Sequence, residues 1–253
     1  MSSPAESSQE FLSGIHPVRE ALKAGRRRIT RLYMSKGRTQ SRMESIVSLA
    51  QSRNIPVEMT DAGRLDDMTA GANHQGIAAL SGPLPLGRSE TVLKQVRELQ
   101  GPVFILVIEL LEDPHNLGAL IRTAVCAGVD YIMIPRDRAA SPTPAVSRAS
   151  AGAMEHADLF VLANTAVFLR SLKDAGFWIA GLDAEGTTEL FSSDLTGNLA
   201  LVVGGEHKGI RPLVMKECDF LISLPITGVG SLNASVAGGI AMYEALRQRS
   251  GKK

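Results

Sequence analysis

Six short apolar runs recur along the later part of the chain: Val103–Leu110, Tyr131–Ile134, Leu159–Leu162, Trp178–Leu182, Leu199–Val203 and Phe220–Ile226. Each has the length of a buried strand, and the stretches between them carry apolar residues at helical spacing. Strands alternating with helices in this way predict a parallel sheet with crossover helices, an α/β fold of the doubly wound kind. The earlier part alternates as well, but in smaller pieces. Pro17–Ala24 reads as a helix with proline in its first turn, Ile29–Met34 as a strand, and Ser41–Arg53 as an amphipathic helix with Met43, Ile46, Val47 and Ala50 on one face. Pro56–Met59 and Gly76–Leu80 predict further strands, with a short helix over Arg64–Thr69 between them.

Ser81–Glu90 (SGPLPLGRSE) concentrates proline and glycine between these two patterns and marks a domain linker. The expected organisation is a polar tail over 1–10, a small α/β domain over 11–80, a linker over 81–98 and a larger parallel-sheet domain over 99–253. A chain of 253 residues suffices for two cores.

Composition narrows the picture without deciding it. The net charge is only +1, yet ten Lys or Arg lie between Arg19 and Arg53 against two carboxylates, Glu20 and Glu44. That segment therefore carries +8 and the remainder −7. Such a local field attracts polyanions, and Arg19, Arg26, Arg27, Arg28, Arg31, Lys36 and Arg38 are its candidate RNA contacts; a solvated helix face is the plainer alternative. Cys126 and Cys218 form no CxxC pair and read as reduced, buried or half-buried thiols of a cytoplasmic protein. The five histidines show no metal-ligand spacing, so no metal is expected. No apolar run approaches the length of a membrane span, and the acidic N-terminus is unlike a signal peptide.

The candidate chemistry sits where strands end. Three loops follow apolar strands: EDPHNLGALIRTAVCAGV (Glu112–Val129), GGEHKGI (Gly204–Ile210) and LPITGVGSLNAS (Leu224–Ser235). Ligands of open α/β sheets bind at the carboxyl ends of strands, so three polar, glycine-bearing loops at three such ends suggest one shared site. Taken singly, Ser231, Asn233 and Ser235 could equally cap the helix that follows. Neither GGEHKG nor GVGSLN is a dinucleotide fingerprint, and there is no P-loop.

Together the three segments resemble the signature of the TrmH family of SPOUT RNA ribose 2′-O-methyltransferases, through Asn116, Gly118 and Arg122, then Gly204, Glu206 and Gly209, then Pro225, Gly228, Ser231, Leu232, Asn233 and Ser235. The resemblance covers Val103 to Arg249. GIHPVREAL (Gly14–Leu22) and HQGIAA (His74–Ala79) are similar to the N-terminal domain of the branch that methylates a guanosine ribose in bacterial 23S ribosomal RNA.

This resemblance implies S-adenosylmethionine as cofactor and structured RNA, 23S ribosomal RNA, as substrate. It implies a homodimer with the active site near the subunit interface, a ribosomal-protein-like RNA-binding fold at the N-terminus, and a deep trefoil knot in the C-terminal domain that hydrophobic pattern cannot reveal. It places the cofactor against Gly204, Leu224 and Leu232, with Gly205, Ile226 and Gly228 nearby. Arg122 becomes the catalytic arginine. A guanidinium stays protonated at ordinary pH, so the preferred role is that of a phosphate anchor and a stabiliser of developing alkoxide, with the proton acceptor left open and a surface salt bridge as the plainer alternative. Asn116 would hold Arg122 or the ribose, or else cap its helix. Glu206 would orient the arginine or the RNA, or else be a solvated carboxylate. Ser231 and Asn233 would make polar contacts around the transferring methyl or the target nucleotide.

The loop before Ser231 is one residue shorter than is common in the family, which bears on Val229 and Gly230. Gly238 and Gly239, each costing about 1 kcal/mol inside a helix, predict close packing at a dimer contact or at the knot. The alternatives are a transfer-RNA methyltransferase of the same family, or a non-catalytic RNA-binding or ribosome-assembly protein using the basic domain alone. A nucleotide-dependent oxidoreductase is disfavoured by the missing fingerprint.

Overall fold

The computed structural model describes residues 9–36, 41–137, 139–206, 208–228 and 230–251. Arg38 and Val229 lie outside the described residues. The chain forms two compact units, 1–85 with 141–156, and 86–140 with 157–253.

The first unit opens with β1 (Glu10–Ser13), α1 (Ile15–Ala24), β2 (Ile29–Ser35), α2 (Ser41–Ser52), β3 (Val57–Thr60), α3 (Ala62–Met68) and β4 (Ile77–Ser81). Its sheet runs β1-β4-β2-β3, antiparallel except for the parallel β2–β3 pair. Leu12, Val18, Leu22, Leu32, Met43, Ile46 and Ile77 fill the core beneath it. The tail expected over 1–10 overlaps the first strand, since β1 pairs with β4 from Glu10 onward. A four-residue edge strand is too short to announce itself by periodicity.

The two N-terminal motifs meet in space. The Gly14 N–H donates to the Ile77 carbonyl over 3.2 Å, and the Ile15 N–H donates to Gln75 Oε1 over 3.0 Å. Gly14 has φ 99°, a region closed to most side chains. Those residues build the junction between α1 and β4.

The second unit begins inside the expected linker, with β5 (Gly87–Arg88) and α4 (Ser89–Gln95), followed by β6 (Phe104–Ile108), α5 (Pro114–Cys126) and β7 (Tyr131–Pro135). The chain then returns to the first unit for α6 (Pro144–Ala149) and a single 3-10 turn (Ala153–His156). This excursion, expected within the C-terminal domain, is held by a buried ion pair. Arg27 Nε donates to Glu155 Oε2 over 2.7 Å, both side chains are fully buried, and Arg27 also pairs with Glu10. Ser147 Oγ donates to the other Glu155 oxygen, again over 2.7 Å. Arg27, expected on an RNA-binding surface, is therefore interior.

The second unit resumes with β8 (Leu159–Leu162), α7 (Thr165–Asp174), β9 (Trp178–Leu182), β10 (Thr188–Glu189), β11 (Leu199–Val203), α8 (Pro212–Met215), β12 (Phe220–Ser223) and α9 (Ala234–Ser250). Its eight strands run in the order β10-β12-β9-β11-β6-β7-β8-β5, and every pairing is parallel. The fold is thus α/β with a parallel sheet and a small N-terminal α/β unit. The two-residue strands β5 and β10 carry too little pattern to be seen in sequence. Gly238 lies where α9 meets α5 and β11, and a Cβ there would press on Leu120 and Val203, so its cost is offset by packing within this chain.

Cys126 is exposed, contrary to expectation, while Cys218 is half-buried, and burial pushes its thiol up to about 12. Among the described residues no cluster of His, Cys, Asp or Glu could hold a metal ion, and no helix is long and apolar enough to cross a membrane.

Candidate active site

β6 and β11 lie side by side, with β7 beyond β6 and β9 beyond β11. Connections that diverge from neighbouring central strands leave a crevice at their carboxyl ends. The segments after β6, β9, β11 and β12 all emerge at this end of the sheet, because every strand is parallel.

The segment after β11 is folded tightly on itself. Gly205 and Gly209 form a bridge, and the Gly209 N–H donates to the Gly205 carbonyl over 3.0 Å. A Cβ on Gly204 would collide with the backbone of Gly209, and one on Gly205 with the Leu110 carbonyl. These two glycines let three pieces of main chain pass one another at close range.

A cleft of about 460 Å³ opens here. Gly204, Gly205, Leu224, Ile226 and Leu232 line it, as do Glu206 and Ser231; Gly228 does not. Asp183 and Glu185, which line it too, were missed in sequence. They follow β9 in LDAEG (182–186), a strand-then-polar-loop construction like the other three. Lys208, also on the wall, was missed as well.

Beside the cleft the three signature segments join through side chains. Asn116, on α5, donates its amide to Glu206 Oε1 and accepts from Asn233 Nδ2 over 3.1 Å. Asn233 is the N-cap of α9: its Oδ1 accepts from the Ser235 N–H over 2.9 Å and from the Val236 N–H over 3.4 Å. With that oxygen engaged by backbone donors, its amide nitrogen must face Asn116, and the Asn116 nitrogen must then face Glu206. The two expected roles of Asn233, cap and site residue, are filled by the two ends of one amide. Ser235 Oγ lies 2.6 Å from Asn233 Oδ1 and 3.4 Å from Asn116 Oδ1.

Asn116 does not cap its helix. Asp113 does, accepting from the His115 and Asn116 N–H groups. Nor, among the described residues, is Asn116 bonded to Arg122, which stands exposed further along α5. Of the expected RNA contacts, Arg28, Arg31 and Lys36 are exposed and Arg19 and Arg26 half-buried. Arg31 shares Glu58 with Arg64.

The cleft suits S-adenosylmethionine. Leu224, Ile226 and Leu232 offer an apolar surface for a flat base, and carboxylates at Asp183, Glu185 and Glu206 offer acceptors for ribose hydroxyls and for positive charge. Lys208 offers a counter-charge for a carboxylate.

The architecture is shared with solved methyltransferases. The chain superimposes with TM-score 0.79 on the SpoU methyltransferase AviRb from Streptomyces viridochromogenes in complex with AdoMet, over 96% of this chain and 91% of that one at 20% identity. Together with the family match of residues 103–243, this fold marks the chain as an S-adenosylmethionine-dependent methyltransferase. Residues 103–243 match the SpoU rRNA methylase family, and residues 11–86 match the RNA 2′-O ribose methyltransferase substrate-binding domain. The 23S rRNA (guanosine-2′-O-)-methyltransferase RlmB of Pseudomonas putida is 37% identical over 98% of this chain and its own full length. The enzyme of the same name from Pseudomonas syringae pv. tomato is 36% identical over 98% of this chain and 99% of that one. The chain belongs to the SpoU rRNA methylase family.

Proposed function

We propose that this enzyme transfers a methyl group to the 2′-oxygen of a guanosine ribose in 23S ribosomal RNA. The observation that carries the reading is the joining of Asn116, Glu206 and Asn233 beside a cofactor-sized cleft. The first unit, matched to a substrate-binding domain, supports RNA as substrate, and the full-length likeness to RlmB enzymes supports the ribosomal one.

When bound, S-adenosylmethionine supplies an electrophilic methyl on a sulfonium. The chain's own residues then place and polarise the acceptor. Gly204, Leu224 and Leu232, with Gly205 and Ile226, hold the donor, while Gly228 does not line the cleft. The Asn116–Glu206–Asn233 relay locks the loops after β6, β11 and β12 into one geometry, and alignment of two bound reactants contributes on the order of 7–11 kcal/mol in favourable cases. Arg122, exposed on the same helix as Asn116, anchors a substrate phosphate and stabilises negative charge developing on the ribose 2′-oxygen. Ser231 offers a hydroxyl from the cleft wall. Arg28, Arg31 and Lys36, with Arg19 and Arg26 at the margin, give the first unit its RNA contacts.

The enzyme acts as a cytoplasmic homodimer in this reading. Val236, Ile240 and Tyr243 stand exposed one helical turn apart on α9, and Leu232 and Ile226 are exposed on the cleft wall. A second copy covering that stripe would complete the site. The passage of the chain from β11 across β9 to β12, and back to α9 against α5, supports the knot.

The test is methyl incorporation into 23S rRNA from cells lacking the enzyme, followed by mapping of the modified ribose. A single protected guanosine 2′-position supports the reading. Incorporation into transfer RNA alone, or S-adenosylmethionine binding absent by calorimetry, overturns it.

A further inference from the structure

We propose that Glu109 and Arg211, neither of which lines the cleft, are a positioning pair that holds the loop 204–210 in its cofactor-binding shape; the proposal rests on reading that cleft as the S-adenosylmethionine site. Glu109 directly follows β6 and its side chain is fully buried. Its N–H donates to the Val203 carbonyl over 2.9 Å, which ties it to the last residue of β11, where the loop begins. Its carboxylate reaches the loop's other end: one oxygen pairs with Arg211 Nε, the residue after Ile210, and the other accepts from Thr165 Oγ1 over 3.0 Å at the start of α7.

A carboxylate removed from water is costly unless paired and hydrogen-bonded. Here both oxygens are engaged, one by Thr165 at the start of α7 and the other by Arg211 at the end of the loop. The loop is therefore gripped at each end by one residue. What it carries between those grips is the cleft wall: Gly204, Gly205, Lys208 and Gly209, together with Glu206, which also meets Asn116. Leu110, the next residue after Glu109, has φ 54° and presents its carbonyl to Gly205. Loosening Glu109 would release that contact as well. Arg211 is 38% exposed in its side chain, but its replacement by methionine strands the buried Glu109 carboxylate and should lower stability, while Ile210 beside it stays anchored in the core.

The experiment measures S-adenosylmethionine affinity by calorimetry and melting temperature for the full chain and for Glu109→Gln, Arg211→Met, Arg211→Lys and the Glu109→Gln/Arg211→Met double variant. Affinity is read well below each melting point, so that a loss of stability alone does not move it. Arg211→Met and Glu109→Gln should each weaken binding by about tenfold, and the double variant should be no weaker than the worse single. Arg211→Lys, which keeps the charge against Glu109, should stay within about threefold of the natural protein. Affinity unchanged in Arg211→Met, whatever its melting temperature, would overturn the proposal. So would Arg211→Lys binding as poorly as Arg211→Met. A natural protein that binds no S-adenosylmethionine would instead sink the cofactor reading itself.

Discussion

Asn116 and Glu206 lie 90 residues apart in sequence, and the amide of one donates directly to the carboxylate of the other. The bond joins α5 to the loop after β11, and through Asn233 Nδ2 it extends to the start of α9. Replacing Asn116 with alanine removes both connections and leaves the Glu206 carboxylate and the Asn233 amide without this partner. Misplacement of catalytic groups by about 1 Å can cost about a hundredfold, and turnover of Asn116→Ala should fall by roughly that factor. Asn116→Asp should be no better, because it sets a second carboxylate against Glu206. Single-turnover methylation with saturating cofactor measures the effect; near-normal turnover in Asn116→Ala would remove the relay from the mechanism.

Arg122 shares α5 with Asn116 but stands in solvent, with no bond to that residue among those described. A side chain so placed contributes little to folding and is available to a substrate phosphate. Arg122→Ala should lower turnover by about two to three orders of magnitude, with melting temperature and cofactor affinity nearly unchanged. Arg122→Lys should recover only part of it, because a point charge does not reproduce the guanidinium fork. Loss of cofactor affinity in step with turnover would place Arg122 in the cofactor site instead.

Much of this arrangement is legible in sequence, for a physical reason. Strands buried on both faces, such as LALVV and FILVI, must be apolar throughout, so they stand out wherever polar loops bound them. The segments that hold Asn116, Glu206 and Asn233 are legible because each follows an apolar strand, and the family resemblance singles out the residues within them. Their bonding to one another is not legible, because side-chain direction depends on the tertiary path. Arg27 shows the opposite failure: in sequence it is one of three consecutive arginines, and the fold pairs it in the interior with Glu155, 128 residues away. Asp183 and Glu185 were legible in principle, as the polar end of WIAGLDAEG.

That burial of Arg27 makes a clear separation from its neighbour. Arg27→Met strands the Glu155 carboxylate in the interior and should cost about 3–5 kcal/mol in urea unfolding. Removing both charges in Arg27→Met/Glu155→Leu should recover most of the loss. Arg28→Ala, at an exposed position, should change stability by less than about 0.5 kcal/mol and act on RNA binding instead. If Arg27→Met were as stable as the natural protein, the excursion 141–156 would be held by other contacts.

Near the end of α9, bonds from Arg247 and Gln248 hold the Glu244 carboxyl down at about 2, from an ordinary value of 4.5. The unfolded chain therefore takes up a proton at a pH where the folded chain does not. The stabilisation is complete above about 4.5 and is lost as pH falls toward about 2. Glu244→Gln should lower the melting temperature at neutral pH, with the gap from the natural protein closing steadily between those two values. A gap that stayed constant down to pH of about 2 would mean that Glu244 acts by packing, not by charge.

The apolar stripe on α9 gives the last prediction. Val236, Ile240 and Tyr243 are 49%, 36% and 50% exposed, and they fall on one helical face. A contiguous exposed apolar surface of this kind marks an interaction site. Leu232 and Ile226 are exposed as well and line the cleft, so a second copy reaching from the stripe to them would close the proposed cofactor site. Tyr243→Asp should shift the protein from dimer to monomer in sedimentation at low micromolar concentration, because an unpaired charge would have to be buried at the interface. Cofactor affinity should weaken with it, although Tyr243 does not line the cleft. Gln248→Ala, one turn further along α9 and bonded back to the Ser193 carbonyl, should leave the association state unchanged. A protein that sediments as a monomer without any substitution, yet binds cofactor normally, would show that one chain alone builds the site.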